Sequence, residues 1–89
     1  MNPEQFIFML HQEGYPEPVE VRREPFGSLG EHTHPFEVKA LVTEGSIDLL
    51  VNGVHRQYFP GDIFHLGLKE SHAESYGPQG VCYLASRKE

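Results

Sequence analysis

Apolar and polar positions change period along this chain, and the changes outline its elements. Near the start, Phe6-Ile7-Phe8-Met9-Leu10 is an unbroken apolar run. Helix signals surround it: Asn2 suits an N-cap, Pro3 the first helical position, Gln5 the reciprocal place in a capping box, and Gly14 a stop. These predict a helix over Pro3–Gln12 that is apolar on every side and so needs cover from a sheet or a second subunit. A strand is the competing reading for so short a run. From Val19 the period falls to two, with Val19 and Val21 alternating with Glu20 and Arg22, as in a half-buried edge strand.

The remainder keeps the strand period. A turn-rich passage, Pro25 to Gly30, precedes a predicted strand from Val38 to Thr43 that closes at Glu44-Gly45. Ile47 to Val51 and Val54 to Phe59 flank Asn52-Gly53, a hairpin signal because both residues tolerate positive φ. Pro60-Gly61-Asp62 turns the chain into Ile63 to Leu66, and two last strands, about Ser71 to Tyr76 and Val81 to Ser86, flank Gly77-Pro78-Gln79-Gly80. Short strands at this spacing predict an all-β antiparallel sandwich or barrel with one short N-terminal helix. Phase is set by Lys39. If Val38, Ala40 and Val42 face inward, Glu37, Lys39 and Leu41 face out; Leu41 is then left exposed, whereas the opposite phase buries an unpaired lysine.

With 89 residues the chain is expected to form one domain, 1–89, whose modest core needs help from a metal, a partner subunit or both. A formal charge of -6 with no basic run argues against nucleic acid and against an anionic membrane surface. No apolar stretch reaches membrane-spanning length, and no secretory signal opens the chain, so a cytoplasmic location is expected. Cys82 is the lone cysteine and has no internal disulfide partner. The apolar helix and an edge strand predict a two-fold homodimer.

Histidine carries the candidate chemistry. In an extended segment His32 and His34 point to one side and Thr33 to the other, which makes half of a metal site. Two imidazoles are not enough, and a third ligand is needed from elsewhere in the chain. Of the other histidines, His65 sits beside Phe64 and Leu66, either lining a pocket or hydrogen-bonded in a structural role. His55 reads as hairpin surface, and His11 as a partner for the negative end of the helix dipole. Cys82 reads as a small buried hydrophobe, the aromatics Tyr58, Phe59, Phe64, Tyr76 and Tyr83 as packing, and Asp62 as turn chemistry. No Ser/His/Asp order, phosphate loop or Cys-x-x-Cys supports another mechanism.

Laid out in order, these residues resemble a small single-domain cupin, the RmlC-like jelly-roll barrel of the cupin_2 type, with its site inside the barrel. The first motif of that family is matched by Gly27 or Gly30, His32, His34 and the strand Val38 to Gly45; the second by Pro60-Gly61-Asp62, Ile63 to Leu66 and His72. The resemblance spans about residues 19–87, with the helix at about 3–12 ahead of it, and His72-Ala73-Glu74 with Tyr76 to Val81 is similar to very small cupins of no settled activity. It implies a divalent transition metal (Fe, Mn, Co, Ni, Cu or Zn) on His32, His34 and His72, with a small molecule bound in the barrel. The departure is at the glutamate: its usual place, seven residues before the strand-ending Gly45, holds Val38. Glu37, brought inward by a bulge, and Glu74, on the face of His72, are the candidate fourth ligands. Val38, Ala40, Val42 and His65 are candidate pocket residues. Two functions are expected to compete: a metal-dependent enzyme of dioxygenase or isomerase type acting on a small oxygen-bearing molecule, and a non-catalytic module that binds or senses a small molecule. A surface role with a vestigial pocket is a third.

Overall fold

The computed structural model describes Met1–Glu89. Helix α1 (Pro3–Gln12) has the predicted bounds, and its start is closed by a full capping box. The Gln5 amide donates to Asn2 Oδ1 at 2.9 Å, and the Asn2 amide donates to Gln5 Oε1 at 3.0 Å. Gly14, at φ 78°, takes the chain out of the helix.

Six strands follow: β1 (Val19–Arg23), β2 (Ser28–His32), β3 (Glu37–Val51), β4 (Val54–Tyr58), β5 (Ile63–Leu66) and β6 (His72–Lys88), every pairing antiparallel. The spine is the pair β3 and β6, which run 15 and 17 residues and pair along nearly their whole length. Each then takes two further neighbours. Strand β3 holds β5 along Val38–Leu41 and β4 along Ile47–Val51; β6 holds β2 near its start and β1 along Val81–Ala85.

This corrects two expectations. Glu44-Gly45 does not end a strand, and Gly77 to Gly80 is not a loop; both lie inside the long strands. The glycine signal has a different cause. The register of β3 against β6 shifts between Val42 and Glu44 and again between Gly45 and Ile47. Gly45 and Gly80 meet there at φ 70° and 71°, and a Cβ on Gly45 would fall 2.1 Å from the Gly80 carbonyl oxygen. Only glycine permits so close an approach. The shift also exchanges the faces. Val38, Ala40 and Val42 point inward on one side of it, and Ile47 and Leu49 on the other. In β6 the inward set changes likewise, from His72, Glu74 and Tyr76 to Val81, Tyr83 and Ala85. A further correction is that Ser28 to Gly30, expected in a turn, pairs as part of β2.

The inward residues make one core of Val38, Ala40, Val42, Ile47, Leu49, Phe64, Leu66, Tyr76, Val81, Tyr83 and Ala85. A second cluster lies outside the sheet, where Phe6 and Leu10 of α1 and Tyr15 cover Leu41, with Ile63 and Leu84 beside it. Leu41 faces outward as the phase of β3 requires, yet it is only 1% exposed because the helix lies on it. Burial of a leucine side chain stabilises by about 1.5–3 kcal/mol, so this cover matters in a chain this short. Polar contacts fasten the same corner. Lys39 donates to the Glu13 carboxylate, Lys88 Nζ donates to the Glu13 carbonyl at 2.7 Å, and both ammonium groups sit against the Tyr15 ring. Phe8 and Phe59 remain surface residues, and no helix is long and apolar enough to cross a membrane.

Candidate metal centre

Strand pairing brings the histidines together. His32, the last residue of β2, is registered directly opposite His72, the first residue of β6. His34 lies past the end of β2, on the same side as His32, with Thr33 exposed between them. Ring centroids are 4.2 Å apart for His32 and His72, 5.0 Å for His32 and His34, and 5.2 Å for His34 and His72. One ring nitrogen from each falls within 4.8 Å of the others.

The backbone sets which nitrogen is offered. His32 Nδ1 lies 2.6 Å from the Gly30 carbonyl oxygen, and His72 Nδ1 lies 3.0 Å from that of Glu70. A carbonyl only accepts, so each Nδ1 carries the proton and each Nε2 of the neutral ring presents a lone pair. His72 Nε2 is buried with no hydrogen-bond partner. An unpartnered buried polar atom costs about 1–3 kcal/mol, a cost that a cation at the centre of the three rings removes. Burial, with His72 and His32 as neighbours, holds the His34 imidazole below its ordinary pKa and therefore neutral near pH 7, the form that ligates. Its ring stacks on Phe36 at 5.0 Å between centroids. The residues present fit a divalent metal.

The two carboxylates separate clearly. Glu74 is buried beside the rings, with Oε2 3.6 Å from His72 Nε2 and 4.0 Å from His32 Nε2, while Oε1 accepts from the Tyr76 hydroxyl at 2.7 Å. Glu37 does not join them. No bulge turns it inward; it lies on the outer face with Oε1 3.2 Å from His65 Nε2. His65 is therefore also an outer-face residue, its side chain 45% exposed, and it does not line the pocket. The alternation of β5 explains this, since Phe64 and Leu66 take the inward places.

Beside the cluster is a cavity of about 110 Å³ whose wall includes His32, His34, Glu74, Val38, Phe64 and Tyr83. Ala40 and Val42 do not reach it; they are sealed in the core. Two arginines that sequence reasoning passed over, Arg23 and Arg87, also line it. Strand parity carried the signal: Arg23 follows the inward Val21, and Arg87 follows the inward Tyr83 and Ala85. Burial, and then the charge of Glu74, push the Tyr83 hydroxyl up to about 12; burial and a hydrogen bond to Glu74 raise that of Tyr76 as well. Both phenols stay protonated at neutral pH.

By sequence, no protein-family model and no curated protein matches the chain. By structure it is similar to an RmlC-like cupin from Shewanella frigidimarina (TM-score 0.70, 21% identity), covering 80% of this chain and 63% of that one. It is also similar to the Cupin_2 domain of an XRE family transcriptional regulator from Enterobacter cloacae (TM-score 0.67, 16% identity, 79% of this chain and 77% of that one). The DMSP lyase DddQ from Ruegeria pomeroyi is a third (TM-score 0.71, 21% identity), with 79% of this chain against 36% of that one. The chain thus spans less than two thirds of the Shewanella cupin's length. Identities this low speak to architecture and leave chemistry to the site itself. With an antiparallel β-barrel architecture, one short N-terminal helix and these structural neighbours, the chain has the cupin fold.

Proposed function

We propose that His32, His34 and His72 hold a divalent transition metal through Nε2, that Glu74 supplies a fourth ligand, and that the open positions take a small oxygen-bearing molecule in the cavity. The observation that carries this reading is His72 Nε2, buried, aimed into the cluster and unpartnered. Imidazole and carboxylate suit Fe, Mn, Co, Ni, Cu or Zn alike. Such a metal supplies Lewis-acid polarisation of a bound oxygen and, where redox-active, access to dioxygen chemistry of the dioxygenase type. Around it, the chain's residues bind and orient. Phe36 fixes the His34 ring, apolar Val38, Phe64 and Leu66 limit water, and the protonated Tyr83 hydroxyl can donate to a bound oxygen. Dioxygenase-type and isomerase-type turnover are both compatible with this arrangement. The test is turnover of small oxygenated acids and alcohols by metal-loaded protein: loss of activity in His72→Ala supports catalysis, and unchanged activity in that variant rules it out.

A second reading, a non-catalytic binding or sensing module, is favoured by one observation. Glu74 is the only carboxylate at the cavity, and it already accepts from Tyr76 beside two imidazoles. A ligand that raises the melting temperature in the presence of chelator, with no product formed, selects this reading. For association we propose a two-fold dimer, because Phe8 is 65% exposed beside Met1 and Met9, and the outer edge of β1 is unpaired. A monomer mass by light scattering would remove it.

A further inference from the structure

The cavity's charge is opposite to that of the chain. Asp and Glu total 13 against 7 Lys and Arg, yet the residues lining the cavity include two arginines, both solvent-exposed, and one carboxylate, Glu74. Arg23 and Arg87 reach it from different strands, β1 and β6. Neither forms an ion pair, although Arg23 Nη1 donates to the Arg22 carbonyl at 3.3 Å, whereas Arg22, on the other face of β1, pairs with Glu20 and Glu44. Arg87 is held in place by packing: its guanidinium carbon lies 4.9 Å from the centre of the Phe36 ring, which in turn stacks on His34. A cation thus lies one ring away from the His34 imidazole.

We propose that the ligand of this cavity is a small carboxylate with a second oxygen next to its carboxyl group, such as a short 2-oxo or 2-hydroxy acid, held by Arg23 and Arg87 at the mouth and by the three-histidine centre within. Guanidinium pairs favour carboxylates because two parallel N–H donors match the two oxygens. Size limits the rest. About 110 Å³ holds roughly four waters' share of volume, so the ligand has only a handful of non-hydrogen atoms. Val21, Leu29, Leu66 and Ala85 on the wall suit a short aliphatic tail and disfavour a polyhydroxylated one.

The proposal rests on the metal reading for its inner contact and on the arginines for its outer one, and the two fail separately. The experiment is calorimetric titration of protein loaded with Co(II), and of chelator-treated protein, with 2-oxobutyrate and with its neutral amide, alongside the visible spectrum of the Co(II) form. The expected result is that 2-oxobutyrate binds and changes the Co(II) spectrum while the amide binds at least tenfold more weakly. Arg23→Gln and Arg87→Gln should each weaken 2-oxobutyrate by about tenfold or more at unchanged Co(II) content. Equal binding of acid and amide, or full affinity in both arginine variants with the metal retained, overturns the carboxylate assignment and leaves the metal centre standing. No binding of 2-oxobutyrate to either form also overturns it. If wild-type protein takes up no Co(II) yet the chelator-treated form binds 2-oxobutyrate in an arginine-dependent way, the metal reading fails and the anion reading survives.

Discussion

Six histidines divide into two sets of very different character. On the outer surface His11 pairs with Glu17, His55 with Asp48 at 2.7 Å, and His65 with Glu37 at 3.2 Å. Each of these has its own carboxylate and ample water, so each is satisfied where it stands. Within the barrel His32, His34 and His72 have a single carboxylate beside them, Glu74, and two of them give their Nδ1 protons to backbone carbonyls. The inner set is the one left short of a partner. What separates a surface histidine from a candidate ligand in this chain is therefore the supply of acceptors and donors around it, and strand parity decides which supply each residue meets. Parity does not equate outward with exposed, however: Leu41 shares the outer face of β3 with Glu37 and is covered by α1.

Substitutions sharpen this contrast in a definite order. Leu41→Ala strips the covered part of the outer face and should cost about 2–5 kcal/mol in chemical denaturation, with metal content per folded chain unchanged. An effect below 1 kcal/mol would mean that α1 does not pack there in solution. His72→Ala should lower metal affinity by about 100-fold or more, about 2.8 kcal/mol. Adding metal to chelator-treated protein should raise the thermal midpoint of wild type and leave that of the variant where it was, which separates the loss of bound metal from the change in packing at this buried side chain. Glu74→Gln keeps shape and removes charge; a decrease of about tenfold in metal affinity is expected, and none at all would take Glu74 out of the coordination shell. His65→Ala is the smallest change, within about 1 kcal/mol of stability because its ion pair is solvated. Metal content in that variant should equal wild type, and a fall would place His65 at the site after all.

Local chemistry made part of this legible in advance. The helix at Pro3–Gln12 is announced by its own capping residues, which interact within one turn. The Asn52-Gly53 hairpin likewise forms with both residues at positive φ. The facing of β3 followed from the cost of burying Lys39, and pairing of that residue with Glu13 shows the outward phase. Other features depend on contacts far apart in the chain. Gly45 and Gly80 carry the composition of turns, and only their mutual approach reveals paired bulges inside continuous strands. The cover over Leu41 comes from a helix some thirty residues earlier, whose docking no period in β3 encodes. Parity within a strand reaches Glu74 from His72, but the arrival of Arg23 and Arg87 at the same cavity depends on which strands pair, and the bulge reverses parity partway along β6, between Tyr76 and Val81. A residue's face cannot be counted across such a point from sequence alone.

The decisive observation is metal per chain, by elemental analysis of protein purified without an affinity tag, for wild type, His72→Ala, and a variant in which His11, His55 and His65 are all alanine. Near one equivalent in wild type and in the outer-histidine variant, with almost none in His72→Ala, is the expected result. Equal metal in His72→Ala and wild type, or its loss only when the outer histidines are removed, would show that the three inner rings are not a metal centre.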